Sequence, residues 1–374
     1  MSDNPRMNGK STGPRPQPRR VKRKRRSKPE RWVPLLGLLI AGTSYGIGSL
    51  WWRSQVSPVQ AQTPDADEQV ISIPPGTSAN GVGEILAENN LIHSPTAWKL
   101  WTRWAGVTNR EGGFQAGTYQ LSPSKSMTEL AEAIWDGKVQ QASFTIPEGW
   151  NIGQMSRYFE QQGWFTADEF TAAVDAALLN PPEWLPGDID SLEGFLFPDT
   201  YQIPVDAKTP EGVVASMLKH FEDTALPLYE EKGADSGFTL QEWVTLASIV
   251  EKEAVIDEER PTISGVFINR LEQGIPLGSD PTVEYGLGVT QTPDQPLTYA
   301  QVDTPTPYNT YRNPGLTPTP IASPGFASLE VSLKPSETDY LYFVANYDGT
   351  HVFTKNYNDH LRAQAQIRDR IDAQ

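Results

Sequence analysis

The sequence predicts an α+β protein with a single N-terminal transmembrane helix. Three observations lead to this prediction. Residues 32–52 form an uncharged apolar segment between a basic tail and an acidic remainder. After that segment, a pattern of short strand, Pro-Gly turn and amphipathic helix occurs twice, which indicates α+β units. The strongest helical period covers residues 238–256 and predicts a helix with a large apolar face in a second, larger α+β domain.

The charge is divided between two unlike parts of the chain. Residues 1–31 hold twelve Lys or Arg against Asp3 and Glu30, so the remainder carries nineteen basic and forty-four acidic residues. Residues 1–30 are also rich in Pro, Ser and Gly, a composition that predicts a disordered tail. Basic residues precede the apolar segment and only Arg53 follows it closely. The positive-inside rule therefore predicts a cytoplasmic N-terminus and an extracytoplasmic, periplasmic remainder.

The apolar segment itself predicts a transmembrane helix over residues 31–53. About twenty apolar residues cross a bilayer as a helix, and tryptophans at both ends are typical of interfacial anchors. A cleaved signal peptide would have a shorter apolar core, and Leu50-Trp-Trp-Arg53 is a poor cleavage site. The basic run is better explained as a topology and lipid-headgroup signal than as a nucleic-acid site. Residues 54–68 have no apolar period and predict a linker.

An internal repeat follows the linker. Ile73-Pro-Pro-Gly76 recurs as Ile146-Pro-Glu-Gly149, and the apolar positions of the next helix recur at the same offset. A second match relates residues 117–135 to residues 199–221. We therefore expect residues 69–140 and 141–222 to be two versions of one α+β unit.

Further elements are predicted toward the C-terminus. A second helix is expected over residues 263–273, whereas residues 274–326 are dense in Pro, Gly, Thr and Tyr and have no helical period. A run this long in a compact domain is usually functional, so we expect it to line a cleft. Residues 339–354 predict a hairpin. A final helix is expected over residues 358–372.

Two carboxylates lie on the helix predicted over residues 238–256. On a helical wheel, Glu251 and Glu253 project from opposite flanks of the apolar arc, so they do not face each other. Burial in apolar surroundings favours the protonated carboxyl, which is what a general acid needs. The alternative is that each glutamate is half-buried and paired with an arginine such as Arg260 or Arg270. The residues alone do not rank Glu251 against Glu253.

Other motifs argue against several classes of chemistry. The four histidines have no metal-ligand spacing, and the chain has no cysteine, so we expect no metal and no thiol catalysis. No dinucleotide or phosphate-binding fingerprint occurs, and no cofactor is expected. Ser122 and Lys125 match a Ser-x-x-Lys pattern, but they lie in a Pro-containing turn without the accompanying Lys-Thr-Gly. The segment from Glu193 to Asp199 is interpreted as a packed loop in which Asp199 caps the backbone.

Several collinear motifs together resemble the YceG-like (MltG) family of membrane-anchored endolytic peptidoglycan transglycosylases. The segments that carry this resemblance are Ile146-Pro-Glu-Gly149, Leu192-Glu-Gly-Phe-Leu-Phe-Pro-Asp-Thr-Tyr201, Leu246-Ala-Ser-Ile-Val-Glu-Lys-Glu253, Val266-Phe-Ile-Asn-Arg-Leu271, Asp280-Pro-Thr-Val-Glu-Tyr-Gly286, Tyr308-Asn-Thr-Tyr311, Pro324-Gly325 and Tyr340-Leu-Tyr-Phe-Val344. We expect the resemblance to extend over residues 69–365.

The resemblance implies roles for particular residues and regions. It implies that Glu253, the second Glu of Glu-Lys-Glu, is the catalytic acid. It also implies a LysM-like subdomain over residues 69–140 and a catalytic domain over residues 141–374. The candidates for binding sugar or orienting Glu253 are Asn269, Asp280, Tyr308, Asn309 and Tyr311.

The implied activity is a lyase reaction on peptidoglycan glycan strands that limits strand elongation. Glu253 would protonate the bond between N-acetylmuramic acid and N-acetylglucosamine, and the sugar's own 6-hydroxyl would close a 1,6-anhydro ring. A single carboxylate would suffice, whereas ordinary glycosidases need two. Two alternatives stay open: a non-catalytic, membrane-tethered glycan-binding module, and a scaffold for cell-wall synthases.

Overall fold

The structure, a computed structural model, describes residues 32–60, 68–107, 113–292 and 295–372. The predicted disordered tail and residues 61–67 of the predicted linker lie outside these ranges. The first helix, α1, runs from Trp32–Val56. Among the described residues, no helix combines the length and the apolar character needed to cross a bilayer. The structure therefore has a helix at the predicted position but does not show the predicted membrane span.

The first α+β unit is built on a two-stranded antiparallel sheet. Strand β1 (Gln69–Ile73) pairs with β2 (Gly117–Leu121), and Ile71 lies opposite Tyr119. Three helices belong to this unit: α2 (Ala79–Glu88), α3 (Pro95–Val107) and α4 (Met127–Trp135). Sheet and helices share one buried apolar cluster, in which Trp98 and Tyr119 are fully buried. Burial of these large side chains is the main favourable contribution to the fold of the unit.

The second α+β unit has the same plan. Strand β3 (Gln141–Thr145) pairs antiparallel with β4 (Thr200–Pro204). The helices of this unit are α5 (Ile152–Gln161), α6 (Ala167–Leu179) and α7 (Pro210–Thr224). In each unit the first strand leads through a glycine with positive φ, Gly76 at 80° and Gly149 at 74°, into a helix. The second strand leads into another helix, so the structure confirms the repeated order of elements.

Helix α9 is the central element of the remaining part of the chain. It follows α8 (Leu226–Ser236), begins at a capping box of Thr239 and Glu242, and runs over Leu240–Glu253. Every residue from Trp243 to Val250 is buried, as expected for a helix surrounded by other elements. Helices α10 (Arg260–Glu272) and α13 (Phe326–Leu333) pack against it. The helix predicted over residues 238–256 is thus confirmed, and its last turn carries both glutamates.

The prediction that residues 274–326 contain no helix is wrong in two places. Helix α11 covers Asp280–Leu287, and the single turn α12 covers Tyr299–Val302. Neither is long enough to show an apolar period. The sequence signals for α11 lie at its two ends. Pro281 is in its first turn, and Gly288 adopts the left-handed conformation directly after its last residue.

The C-terminal elements agree with the prediction. Strand β5 (Tyr342–Ala345) pairs antiparallel with β6 (His351–Thr354), and α14 (Tyr357–Asp372) follows. Two short 3₁₀ turns, Val205–Ala207 and Asp257–Glu259, complete the described elements.

Candidate active site

Glu253 is the last residue of α9 and lies where the buried helix meets the start of α11. Ser279 Oγ donates a hydrogen bond to Glu253 Oε1 at 2.5 Å. The Glu253 side chain is only partly accessible to solvent but is surrounded by protein on most sides. Burial raises the pKa of Glu253 to about 7; the Ser279 hydrogen bond opposes this increase, while the nearby charges of Asp280 and Glu284 add to it. Glu253 can therefore hold or release a proton near neutral pH.

The two arginines considered as partners for the glutamates are engaged elsewhere. Arg260 Nη1 forms an ion pair with Asp257 at 2.9 Å. Arg270 donates through Nε to the Leu341 carbonyl and through Nη1 to the Leu277 carbonyl, both at 2.5 Å. The positive charge of Arg270 lowers the pKa of Glu253, but less than burial raises it. Within the described residues, Glu253 forms no ion pair.

Glu251 forms hydrogen bonds with a different helix, and the sequence did not predict them. Its Oε2 accepts hydrogen bonds from Gly325 N–H at 3.1 Å and from Ser328 Oγ at 2.7 Å. Both donors belong to the first turn of α13 or the residue before it. A carboxylate at this position compensates the partial positive charge of a helix N-terminus. Glu251 therefore caps α13, and Glu253 alone of the two is left for chemistry.

Two of the predicted binding residues lie together beside Glu253. Asp280, the first residue of α11, accepts a hydrogen bond from Tyr311 Oη at 2.7 Å. Ser279 N–H donates to Thr310 Oγ1 at 3.0 Å, which ties the loop carrying Tyr311 to the start of α11. The structure thus brings Glu253, Ser279, Asp280 and Tyr311 into one cluster. Sequence reasoning missed Ser279, although it directly precedes a motif that carries the family resemblance.

The other predicted binding residues use their polar groups within the protein. Asn309 is fully buried, and its Nδ2 donates to the carbonyls of Val302 and Thr304 at 2.8 Å. Asn269 Nδ2 donates to the carbonyls of Thr338 and Tyr340 at 2.8 and 3.0 Å. These bonds show how the two amides order loops around the site, and a contact with sugar remains a prediction for both.

Tyr308 packs against a tyrosine that is bonded to a second buried carboxyl group. Its ring packs edge-on against Tyr285 at 4.9 Å, and its hydroxyl lies 2.9 Å from Thr319 Oγ1. Tyr285 Oη donates to Glu193 Oε2 at 3.1 Å. Tyr308 therefore contributes to the wall that joins α11 to the loop containing Glu193.

Glu193 is a buried acid that the sequence analysis did not single out as functional. Its side chain is 3% exposed, and Ile152 N–H donates to its Oε1 at 3.1 Å. Burial raises the pKa of Glu193 to about 7, although hydrogen bonds from Ile152 and Tyr285 lower it. The interpretation of its loop as packed is confirmed, and Asp199 Oδ1 accepts Thr200 N–H at 2.6 Å as expected. The position of Glu193 at a cavity was not predicted.

The cavity beside Glu193 has a volume of about 360 Å³. Lys252, Arg157 and Glu284 also line it. Glu284 acts on the pKa of Glu253 as well, so the cavity lies next to the catalytic candidate. In the parts of the chain that the structure describes, no group of three or more His, Asp or Glu is arranged to hold a metal ion. The arrangement offers one proton-exchanging carboxyl, two neighbouring negative charges and an adjoining polar cavity.

Comparison with known proteins agrees with the architecture and the motifs. The sequence model of the YceG-like family matches residues 71–366. An endolytic murein transglycosylase of Bacillus subtilis is 31% identical over 328 residues, which is 84% of this chain and 88% of the relative. An endolytic murein transglycosylase of Streptococcus pneumoniae strain R6 is 31% identical over 90% of this chain. This chain spans 64% of the length of that relative.

A solved structure of a YceG-like protein is also similar to this chain. The crystal structure of a YceG-like protein from Listeria monocytogenes superposes with a TM-score of 0.54 and 29% sequence identity. The match covers 80% of this chain and all of the Listeria chain. The family match extends over most of the chain and includes the segments that carry Glu193, Glu253, Asp280 and Tyr311. This chain belongs to the YceG-like family.

Proposed function

We propose that the protein is an endolytic lytic transglycosylase that cleaves peptidoglycan strands and leaves 1,6-anhydro ends. The observation that carries the proposal is the Glu253 carboxyl, which has a pKa of about 7 and a hydroxyl donor, Ser279, at 2.5 Å. A group whose pKa is near the working pH gives and takes protons efficiently. The names of the Bacillus and Streptococcus relatives support the same reaction.

The reaction needs one group that acts first as an acid and then as a base. Protonated Glu253 donates its proton to the oxygen that joins N-acetylmuramic acid to N-acetylglucosamine, and the bond from C1 to that oxygen breaks. The Glu253 carboxylate then takes the proton of the muramic acid 6-hydroxyl, whose oxygen forms a new bond to C1. No water is consumed, and Glu253 is protonated again. The attack is intramolecular and gains from held geometry.

The neighbours of Glu253 support both halves of this cycle. The negative charges of Asp280 and Glu284 favour the protonated acid before cleavage, and they also favour the positive charge that develops at C1. Ser279 fixes one carboxyl oxygen and stabilises the carboxylate after the proton has left.

We further propose that the chain has the membrane topology expected from its sequence. Residues 31–53 anchor the protein in the cell membrane, with residues 1–30 in the cytoplasm and the remainder outside. The support is the uncharged segment between basic and acidic parts, with tryptophans at both ends. The LysM-like unit of residues 69–140 binds glycan near the catalytic domain of residues 141–374, and cell-wall synthases are candidate partners. The first unit has its own strands and helices in the order that the second unit repeats, which supports a separate unit at residues 69–140.

Product analysis of purified strands tests the function, with Glu253→Gln compared with Glu251→Gln. The two residues share the last turn of α9, but Glu251 is committed to the α13 N-terminus. We expect wild type and Glu251→Gln to form 1,6-anhydro ends, and Glu253→Gln to be at least about 100-fold slower. Digestion in ¹⁸O-labelled water separates the reaction types. Products that carry ¹⁸O at new reducing ends would identify a hydrolase, and strand binding without turnover would favour the non-catalytic binding module.

A further inference from the structure

The cavity next to Glu253 presents two cationic side chains that have no carboxylate partner among the described residues. Lys252 and Arg157 are both exposed and line this cavity. The hydrogen bond that Lys252 makes with the protein runs from Nζ to the Gly149 carbonyl at 3.4 Å, which is long for a charged donor. Beyond residue 31 the chain has more than twice as many acidic as basic residues. In this acidic chain, Lys252 and Arg157 line the same cavity without a carboxylate partner among the described residues.

The acids of the cavity already accept hydrogen bonds from the protein. Both Glu193 oxygens accept Ile152 N–H, and Oε2 also accepts the Tyr285 hydroxyl. Glu284 Oε1 accepts Gln291 N–H at 2.9 Å. The donors of Lys252 and Arg157 are thus the groups available to a ligand, and guanidinium and ammonium groups bind carboxylates. A volume of about 360 Å³ is within the range of small-ligand pockets.

The position of the cavity indicates which part of the substrate supplies the carboxylate that it binds. Glu284 lines the cavity and acts on Glu253, and Lys252 precedes Glu253 on α9. In peptidoglycan, the muramic acid whose C1 reacts carries a lactyl ether at C3, and a short peptide with free carboxylates extends from it. A peptide attached to the reacting sugar must leave the catalytic cluster along an adjoining surface.

We propose that this cavity binds the stem peptide of the muramic acid residue that is cleaved, with Lys252 and Arg157 holding a peptide carboxylate. This inference rests on the proposed function, because it places the reacting sugar at Glu253. It predicts that the enzyme prefers strands that carry peptides over strands whose peptides have been removed at the lactyl amide.

The test compares kcat/KM on strands with and without stem peptides, using the full-length protein and counting 1,6-anhydro ends by mass spectrometry. We expect wild type to prefer the peptide-bearing strand by about fivefold to tenfold, the effect of two partly solvated ion pairs. In Arg157→Gln, in Lys252→Gln and in the double variant, this ratio falls toward 1. The matched control is Lys219→Gln, since Lys219 is an exposed lysine paired with Asp223 on α7, and it keeps the wild-type ratio.

A second measurement separates this inference from the proposed function. The Glu253→Gln protein is used to measure binding of the two strand types without turnover, with and without the Arg157→Gln change. Tighter binding of peptide-bearing strands that depends on Arg157 supports the site, even if no 1,6-anhydro ends are ever found. A wild-type ratio of 1, or a preference that survives in the double variant, overturns it. Because Arg157 is exposed, its substitution tests the site even if Lys252→Gln does not fold.

Discussion

Replacing Ser279 by alanine should raise the pKa of Glu253 and move the pH dependence of the reaction upward. Ser279 Oγ is 2.5 Å from Glu253 Oε1, and its hydrogen bond lowers the pKa of that carboxyl. A hydrogen bond to a charged group contributes about 1.5–3 kcal/mol. One pKa unit corresponds to about 1.4 kcal/mol. The protonated acid keeps part of this bond, so we expect an increase of about one unit.

The effect of this pKa increase on activity follows from the protonation state that Glu253 needs at the start of the reaction. Glu253 must be protonated in the free enzyme, so kcat/KM falls as the pH rises through its pKa. With a pKa of about 7, only about 10% of wild-type Glu253 is protonated at pH 8. In Ser279→Ala the fraction would be about half. The variant should therefore retain a larger share of its maximal kcat/KM at pH 8, even if that maximum is lower.

The assay is the pH profile of kcat/KM, measured as 1,6-anhydro ends formed between pH 5 and pH 9. Ser328→Ala is the matched control, because Ser328 donates the equivalent hydrogen bond to Glu251 at 2.7 Å. The control should leave the alkaline midpoint at its wild-type value. An alkaline midpoint in Ser279→Ala that is unchanged, or lower than in wild type, would refute the assignment of the proton to Glu253.

Three further substitutions, at Asp280, Glu193 and Gly194, have specific expected outcomes. Asp280→Asn removes a negative charge that raises the pKa of Glu253, so its alkaline midpoint should move downward; an upward shift would contradict the electrostatic reasoning. The raised pKa of Glu193 makes the folded state lose up to about 3 kcal/mol of stability as the pH rises from about 4.5 through 7. Denaturation followed by tryptophan fluorescence should show a smaller loss in Glu193→Gln. Gly194→Ala should cost about 2–4 kcal/mol in the same assay, because φ is +86° and the added Cβ would lie 2.6 Å from Pro320.

The sequence revealed those features that depend on neighbouring residues. The Ile-Pro-x-Gly turns, the strands before them and the helices after them are local patterns, and the structure has both copies. The apolar face of α9 predicted a buried helix with two carboxylates near its end. The terminal hairpin and final helix followed from alternation and period in the same way.

Features that depend on distant parts of the chain were not predictable in this way. Glu251 and Glu253 both flank the apolar arc on a helical wheel, so the wheel does not distinguish them. They differ in their distant partners. Glu251 accepts hydrogen bonds from Gly325 and Ser328 at the start of α13. Glu253 accepts one from Ser279, which directly precedes α11. The burial of Glu193 depends on Ile152 and Tyr285, which come from two other helices. Helix α11 was missed because eight residues are too few to show a period.

The most direct measurement is the ionisation of Glu253 itself, by infrared difference spectroscopy of wild type against Glu253→Gln. The subtraction removes the signals of all other carboxyl groups, including Glu193. We expect a protonated carboxyl band that disappears with a midpoint near pH 7. A midpoint close to 4.5, the ordinary value for a glutamic acid, would contradict it.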